Sequence, residues 1–265
     1  MKRKKGDIIY YSDELNDDFG EIGLKRPDVP ESYQYIRKGK IYNFFSNILY
    51  YGVAYPVLSI VCLIFGVKVK NKENLKKVLN SGGFIYQNHT SFVDMFQNQV
   101  KVVGIKRRTN IIGYSDTLTI PFVGSLSRSL GYIPLPNDLK GQLKFMEALK
   151  HYIDKKQFII IFPEAHIWPY YTKIRPFVSA SFHYPAKFNA PVIPVTTVYR
   201  KGRFKNSKPR PTLIIGEPIY PKEELSIKEN KEYLRNECYK EMVEASQSIK
   251  QYEYFKYVKK EKESI

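Results

Sequence analysis

The string Asn88-His89-Thr90-Ser91-Phe92-Val93-Asp94 sets an imidazole five residues ahead of a carboxylate. A histidine whose ring is oriented by a carboxylate is a general base that can activate a hydroxyl for attack on a carbonyl. The spacing is awkward on any regular element. On a helix the two side chains stand roughly 140° apart, and on a strand they leave by opposite faces. They meet only where the chain bends, as at a strand-to-helix junction. Local alternatives exist: Asp94, three residues after Ser91, also fits the far end of a capping box, and His89 fits an ordinary loop histidine. A second group of the right chemistry stands in Phe162-Pro163-Glu164-Ala165-His166, where Glu164 is either a site carboxylate or a cap for the segment that follows.

The flanking residues supply the required bend. Phe84-Ile85-Tyr86 is an apolar strand behind the turn signal Ser81-Gly82-Gly83, and Thr90 or Ser91 is placed to cap a helix starting at Phe92. Further strands are expected at Ile111–Gly113, Gly131–Leu135, Phe158–Phe162, Pro191–Val195 and Thr212–Ile215. Helical periodicity runs through Leu143, Met146, Leu149 and Ile153, and a closing helix is expected over Lys231–Lys250. This alternation predicts an α/β fold with a largely parallel central sheet flanked by helices. Sites in such sheets form beyond the carboxyl ends of the strands, where His89 and Glu164 both fall.

The formal charge of +17 over 265 residues predicts affinity for polyanions, and no zinc-finger or RNA-binding signature selects nucleic acid among them. Cys62 and Cys238 form no disulfide framework, and the four histidines form no metal-ligating pattern. From Ile41 to Val67 no side chain is charged, while Arg37, Lys38 and Lys40 precede it and Lys68, Lys70 and Lys72 follow it. Pro56 beside Gly52 predicts two apolar pieces, hence a membrane-associating hairpin entering and leaving by one face, with a single span or a buried helix pair as alternatives. The expected organisation is a polar, loosely packed N-terminal tail over 1–40, the membrane-associating helical segment over 41–67, the main domain over 68–225, and a C-terminal helix with a basic-aromatic tail over 226–265. The expected location is the cytoplasmic face of the cell membrane, monotopic or single-span.

Four blocks in order carry a family resemblance. NHTSFVD resembles the N-H-x-x-x-x-D motif of the glycerolipid acyltransferases (the 1-acylglycerol-3-phosphate acyltransferase family), and FPEA resembles the start of their F-P-E-G-T-R motif. GYIPLPN takes the place of their G-x-I-x-I-x-R block and PVIPVTT that of their V-P-V block. The resemblance implies transfer of a fatty acyl group from acyl-CoA or acyl carrier protein to a lysophospholipid hydroxyl in phospholipid biosynthesis, with no other cofactor. It implies His89 as general base, Asp94 as its orienting carboxylate, backbone N–H groups near Ser91 as the oxyanion site, and Glu164 as an aid to acceptor positioning. The expected partners are membrane lipids, the thioester donor and the lysophospholipid, 1-acylglycerol-3-phosphate first; the alternatives are a catalytically diverged lipid-binding membrane protein or an acyltransferase for a different lysolipid acceptor. The family's second-block arginine falls on Asn137, and its Gly-Thr-Arg on Ala165, His166 and Ile167. The missing charge at the acceptor phosphate is therefore expected from Arg128, Arg175, Arg200 or His166.

Overall fold

Side chains alternate along the central strand, and that alternation divides the interior in two. Phe84 and Tyr86 belong to one apolar cluster, whereas Ile85 between them belongs to the other. The computed structural model describes residues 3–20, 26–36, 38–120, 122–204 and 207–260. Its strands in chain order are β1 (Ile8–Tyr11), β2 (Lys68–Lys70), β3 (Gly83–Gln87), β4 (Thr109–Gly113), β5 (Tyr132–Pro134), β6 (Phe158–Ile161), β7 (Val192–Arg200), β8 (Arg210–Ile215) and β9 (Lys256–Lys259). Its α-helices are α1 (Lys40–Asn47), α2 (Tyr55–Ile64), α3 (Lys72–Lys76), α4 (Asp94–Gln97), α5 (Val123–Ser127), α6 (Leu139–Asp154), α7 (His183–Phe188) and α8 (Ile227–Gln247).

Seven strands form the main sheet in the order β2-β8-β7-β3-β6-β4-β5. Only the β7–β8 pair is antiparallel; the other neighbours run parallel, as the alternating pattern predicts. Phe145 and Leu149 of α6, Ala186 of α7 and Leu234 and Met242 of α8 fill one face of the sheet. Cys62 of α2, Leu75 of α3 and Val100, Val102 and Val103 fill the other. Helix α6 starts where Asp138 accepts the Gly141 N–H at 2.7 Å. A full capping box between Ser226 and Glu229 opens α8 at Ile227, earlier than the periodicity alone suggests.

The apolar N-terminal segment is one helix, not a hairpin. Helix α1, a π-helical stretch over Ile48–Ala54 and α2 follow one another without a turn, giving 25 residues and a length of about 37 Å. Pro56 sits in the first turn of α2, directly after the π-helical stretch. The wider turns there already depart from the i→i−4 ladder that proline would break, so the chain keeps its direction. One side of this helix is fastened to the domain. Ser46 donates to the Ser129 carbonyl at 2.8 Å, Tyr42 shares a 2.9 Å hydroxyl contact with Ser129, and the Tyr50 hydroxyl accepts the Thr109 N–H at 2.8 Å. The other side is bare: Phe44, Leu63 and Ile64 are 62, 73 and 77% exposed.

The N-terminal residues are not a loose tail. Strand β1 pairs in parallel with β9, from Ile8 opposite Lys256 to Tyr11 opposite Lys259. Ile9, Tyr254 and Phe255 make a small core of their own, with Phe19, Tyr170 and Tyr257 packed around it. The tail expected to be irregular thus becomes structured by pairing with the chain's far end, a contact that local patterning does not reveal.

Candidate active site

Strands β3 and β6 lie side by side, Tyr86 opposite Ile161, so the residues that follow them emerge at the same sheet edge. Asn88 continues the pairing with its side chain: its Oδ1 accepts the Thr197 N–H at 2.8 Å and its Nδ2 donates to the Thr197 carbonyl at 3.1 Å. The amide fixes the point at which the chain leaves the sheet. His89 follows, and the bend returns through Ser91 to α4, whose first residue is Asp94.

Within this bend Asp94 Oδ2 accepts the N–H groups of Thr90 and Ser91, each at 2.7 Å, and lies 3.4 Å from His89 Nδ1. The capping and the catalytic readings of Asp94 therefore describe one arrangement. The carboxylate that closes the turn also faces the imidazole, and its side chain is fully buried. Those same bonds narrow one expectation. The Thr90 and Ser91 N–H groups are spent on Asp94 and are not free to receive an oxyanion. Phe162 stacks on the His89 ring at 4.1 Å, with the planes 17° apart, so the ring is held by a face contact as well as an edge contact. With Nδ1 toward Asp94, Nε2 is the nitrogen left for the cavity that His89 lines.

Glu164 is placed differently from its expected role. Its Oε2 accepts the His89 N–H at 3.0 Å and its Oε1 accepts the Arg175 N–H at 2.8 Å. The Arg175 guanidinium lies 3.3 Å from Oε2, and it also donates to the carbonyls of Glu14, Glu164 and His166. Burial holds the Glu164 carboxyl pKa above the usual carboxylate value, and the Arg175 charge and the two backbone N–H groups offset only part of that rise. Glu164 thus holds the histidine backbone, not a substrate. Arg175 is 1% exposed and rests on Trp168 at 4.8 Å, so the arginine expected as a candidate phosphate ligand is an interior brace.

The remaining candidates disperse. Arg128 bonds Gln34 at 3.1 Å and lies over Tyr42, and Arg200 bonds Thr212 and the carbonyls of Gly66 and Pro211. Neither lines the cavity. Asn137 is exposed, and its Oδ1 accepts the Val29 N–H at 3.0 Å. His166 does line the cavity, with Nδ1 3.4 Å from Asp18 Oδ2. Ala165, standing where the family has glycine, keeps the left-handed backbone that glycine favours, with φ 62°.

The cavity measures about 300 Å³. Its floor is apolar, from Ile111, Ile112, Leu135 and Ile161, and His89 and Phe162 stand at one side. Asp18, Gly20 and Arg26 close another side, contributed by the N-terminal segment. Sequence reading missed these three because their proximity depends on packing between distant segments. The N–H of Phe19 donates to the Ile167 carbonyl at 3.1 Å, and the Trp168 indole donates to the Asp17 carbonyl at 2.7 Å. Among the described residues no cluster of His, Cys, Asp and Glu is arranged to hold a metal ion.

Comparison with known proteins agrees with this geometry. A family model described as Acyltransferase matches residues 66–198, the stretch from just before β2 into β7. No curated protein matches the chain. Among solved structures, the crystal structure of the 1-acyl-sn-glycerophosphate (LPA) acyltransferase PlsC from Thermotoga maritima is similar. The likeness has a TM-score of 0.53 at 21% identity and covers 80% of this chain and 96% of that one. At that identity the likeness is one of fold.

Proposed function

The chain belongs to the acyltransferase family, and on that premise we propose that it transfers a fatty acyl group from a thioester of coenzyme A or acyl carrier protein to the free hydroxyl of a lysophospholipid, 1-acylglycerol-3-phosphate first among them. The observation that carries the reading is the His89–Asp94 pair, braced in a buried bend and opening onto a cavity with an apolar floor. His89 Nε2 takes the proton of the acceptor hydroxyl as its oxygen attacks the thioester carbonyl. Asp94 orients the ring and stabilises the imidazolium. Collapse of the tetrahedral intermediate breaks the carbon–sulfur bond, and the imidazolium returns the proton to the leaving thiolate. The acceptor oxygen attacks directly, so no enzyme nucleophile takes part.

A membrane supplies such an acceptor, and the bare side of the α1–α2 helix gives the protein a face for it. A helix fastened to the domain along its length suits lying in one leaflet better than crossing the bilayer. Purified protein given a radiolabelled acyl thioester and a panel of lysolipids should yield the diacyl product, and His89→Ala should lower turnover by about 10²–10⁴. Wild-type turnover by His89→Ala would overturn the assignment of the base. Vesicle binding with no transfer from either donor type would favour a diverged lipid-binding protein.

A further inference from the structure

Where the family's second block places an arginine, this chain has Asn137, and that asparagine holds down another part of the molecule. Its Oδ1 accepts the Val29 N–H at 3.0 Å. Two residues earlier the Pro27 carbonyl accepts from the Ser115 hydroxyl at 2.5 Å, and Val29 itself is buried in the main core. Residues 26–29 are therefore a short strap pinned at two points beside the cavity. The residue at its end is Arg26, whose guanidinium lies 3.8 Å from the centre of the Tyr114 ring. Both residues line the cavity that His89 lines.

A guanidinium held over an aromatic ring can still offer its N–H groups, as a fork, to two oxygens of one anion. Among the described residues no carboxylate lies within ion-pairing distance of Arg26. The two acids in the same cavity are directed elsewhere: Asp18 lies 3.4 Å from His166 Nδ1, and Asp116 Oδ1 accepts the Thr117 N–H at 2.7 Å. A cavity of about 300 Å³ is at the small end for ligand pockets, suited to a glycerophosphate and the start of its chain.

We propose that Arg26 grips the phosphate of the acceptor lysolipid, so that the charge missing from the motif positions enters from the N-terminal strap, which Asn137 holds in place. The inference rests on the acyl-transfer reading above. Its sequence basis is an exchange of roles: the position that elsewhere carries the arginine here tethers the segment that brings one.

The test compares 1-acylglycerol-3-phosphate with 1-acylglycerol, which lacks the phosphate, using the full chain in detergent micelles. Arg26→Ala should lower the ratio of kcat/KM for the two acceptors about 10- to 100-fold, through KM for the phosphate-bearing one. Arg26→Lys should recover part of the ratio, because it returns charge without the planar fork. Asn137→Ala should move the ratio the same way by a smaller factor. An unchanged ratio in Arg26→Ala, or a rise confined to the KM of the thioester, would overturn the proposal. Equilibrium binding of the two lysolipids to wild type and Arg26→Ala separates this inference from the reading beneath it. Loss of the phosphate preference in the variant with no transfer by wild type would remove the acyltransferase reading and keep Arg26. Transfer by wild type with the preference intact in the variant would do the reverse.

Discussion

The cavity has two ends built on different plans. At the inner end His89 lines the cavity, and behind it Asp94, Glu164 and Arg175 are buried and linked by hydrogen bonds, with Arg175 also donating to the Glu14 carbonyl. At the outer end, Arg26 rests on an aromatic face and Asp18 faces His166 across a looser contact, both supplied by a segment from the far end of the chain. On the proposed function, the inner end is a rigid frame for proton transfer and the outer end a graft upon it. On that reading, such a division would let one core serve different headgroups.

Substitutions can break this contrast from the inside first. Asp94→Asn keeps the shape of the turn but removes the charge that orients the imidazole, and turnover should fall by about 10³–10⁴, as with carboxylates in analogous triads. A rate within tenfold of wild type would make Asp94 a structural cap only. Arg175→Ala leaves Glu164 as a buried carboxylate without its counter-charge and should cost about 3–5 kcal/mol in denaturant unfolding. If the loss is below about 1 kcal/mol, the inner end is not the rigid frame described.

The bare side of the α1–α2 helix offers a change that should spare the frame entirely. Replacing Leu63 and Ile64 with glutamate should reduce binding to anionic vesicles at least tenfold, since each removes apolar burial worth about 1.5–3 kcal/mol. The unfolding midpoint should stay within a degree or two. Vesicle binding unchanged by both substitutions would show that the membrane surface lies elsewhere. The smallest effect belongs to Ala165→Gly. Relief of the left-handed backbone, offset by the greater freedom of glycine in the unfolded chain, should raise stability by roughly 0.5 kcal/mol. A loss of stability would mean that the alanine methyl packs usefully there.

The inner end was legible in the sequence because its logic is local. His89 and Asp94 share one bend, Glu164 follows a five-residue apolar run, and the parallel sheet brings both to one edge. The role of Glu164 was not legible, since a carboxylate that accepts a backbone N–H looks in sequence like one that awaits a substrate. Arg175 was misplaced for a related reason: nothing in its neighbours announces that Trp168 and Glu164 will enclose it. The long apolar helix was legible by its lack of charge, but Pro56 suggested a hairpin because the π-helical stretch before it leaves no residue signature. The outer end was invisible. Residues 1–40 carry no periodicity, and the order of the described ones comes from β9, Trp168 and Asn137, all distant in sequence.

The pairing of β1 with β9 also sets a schedule. A ribosome adding about 5–20 residues per second makes β1 at the start and its partner only near the finish, an interval on the order of 10–50 s. During most of that time the apolar α1–α2 helix has already emerged, while the segment bearing Asp18 and Arg26 has no far strand to anchor beside. On the proposed function, the apolar face offered to a lipid thus exists well before the wall that carries Arg26 is anchored.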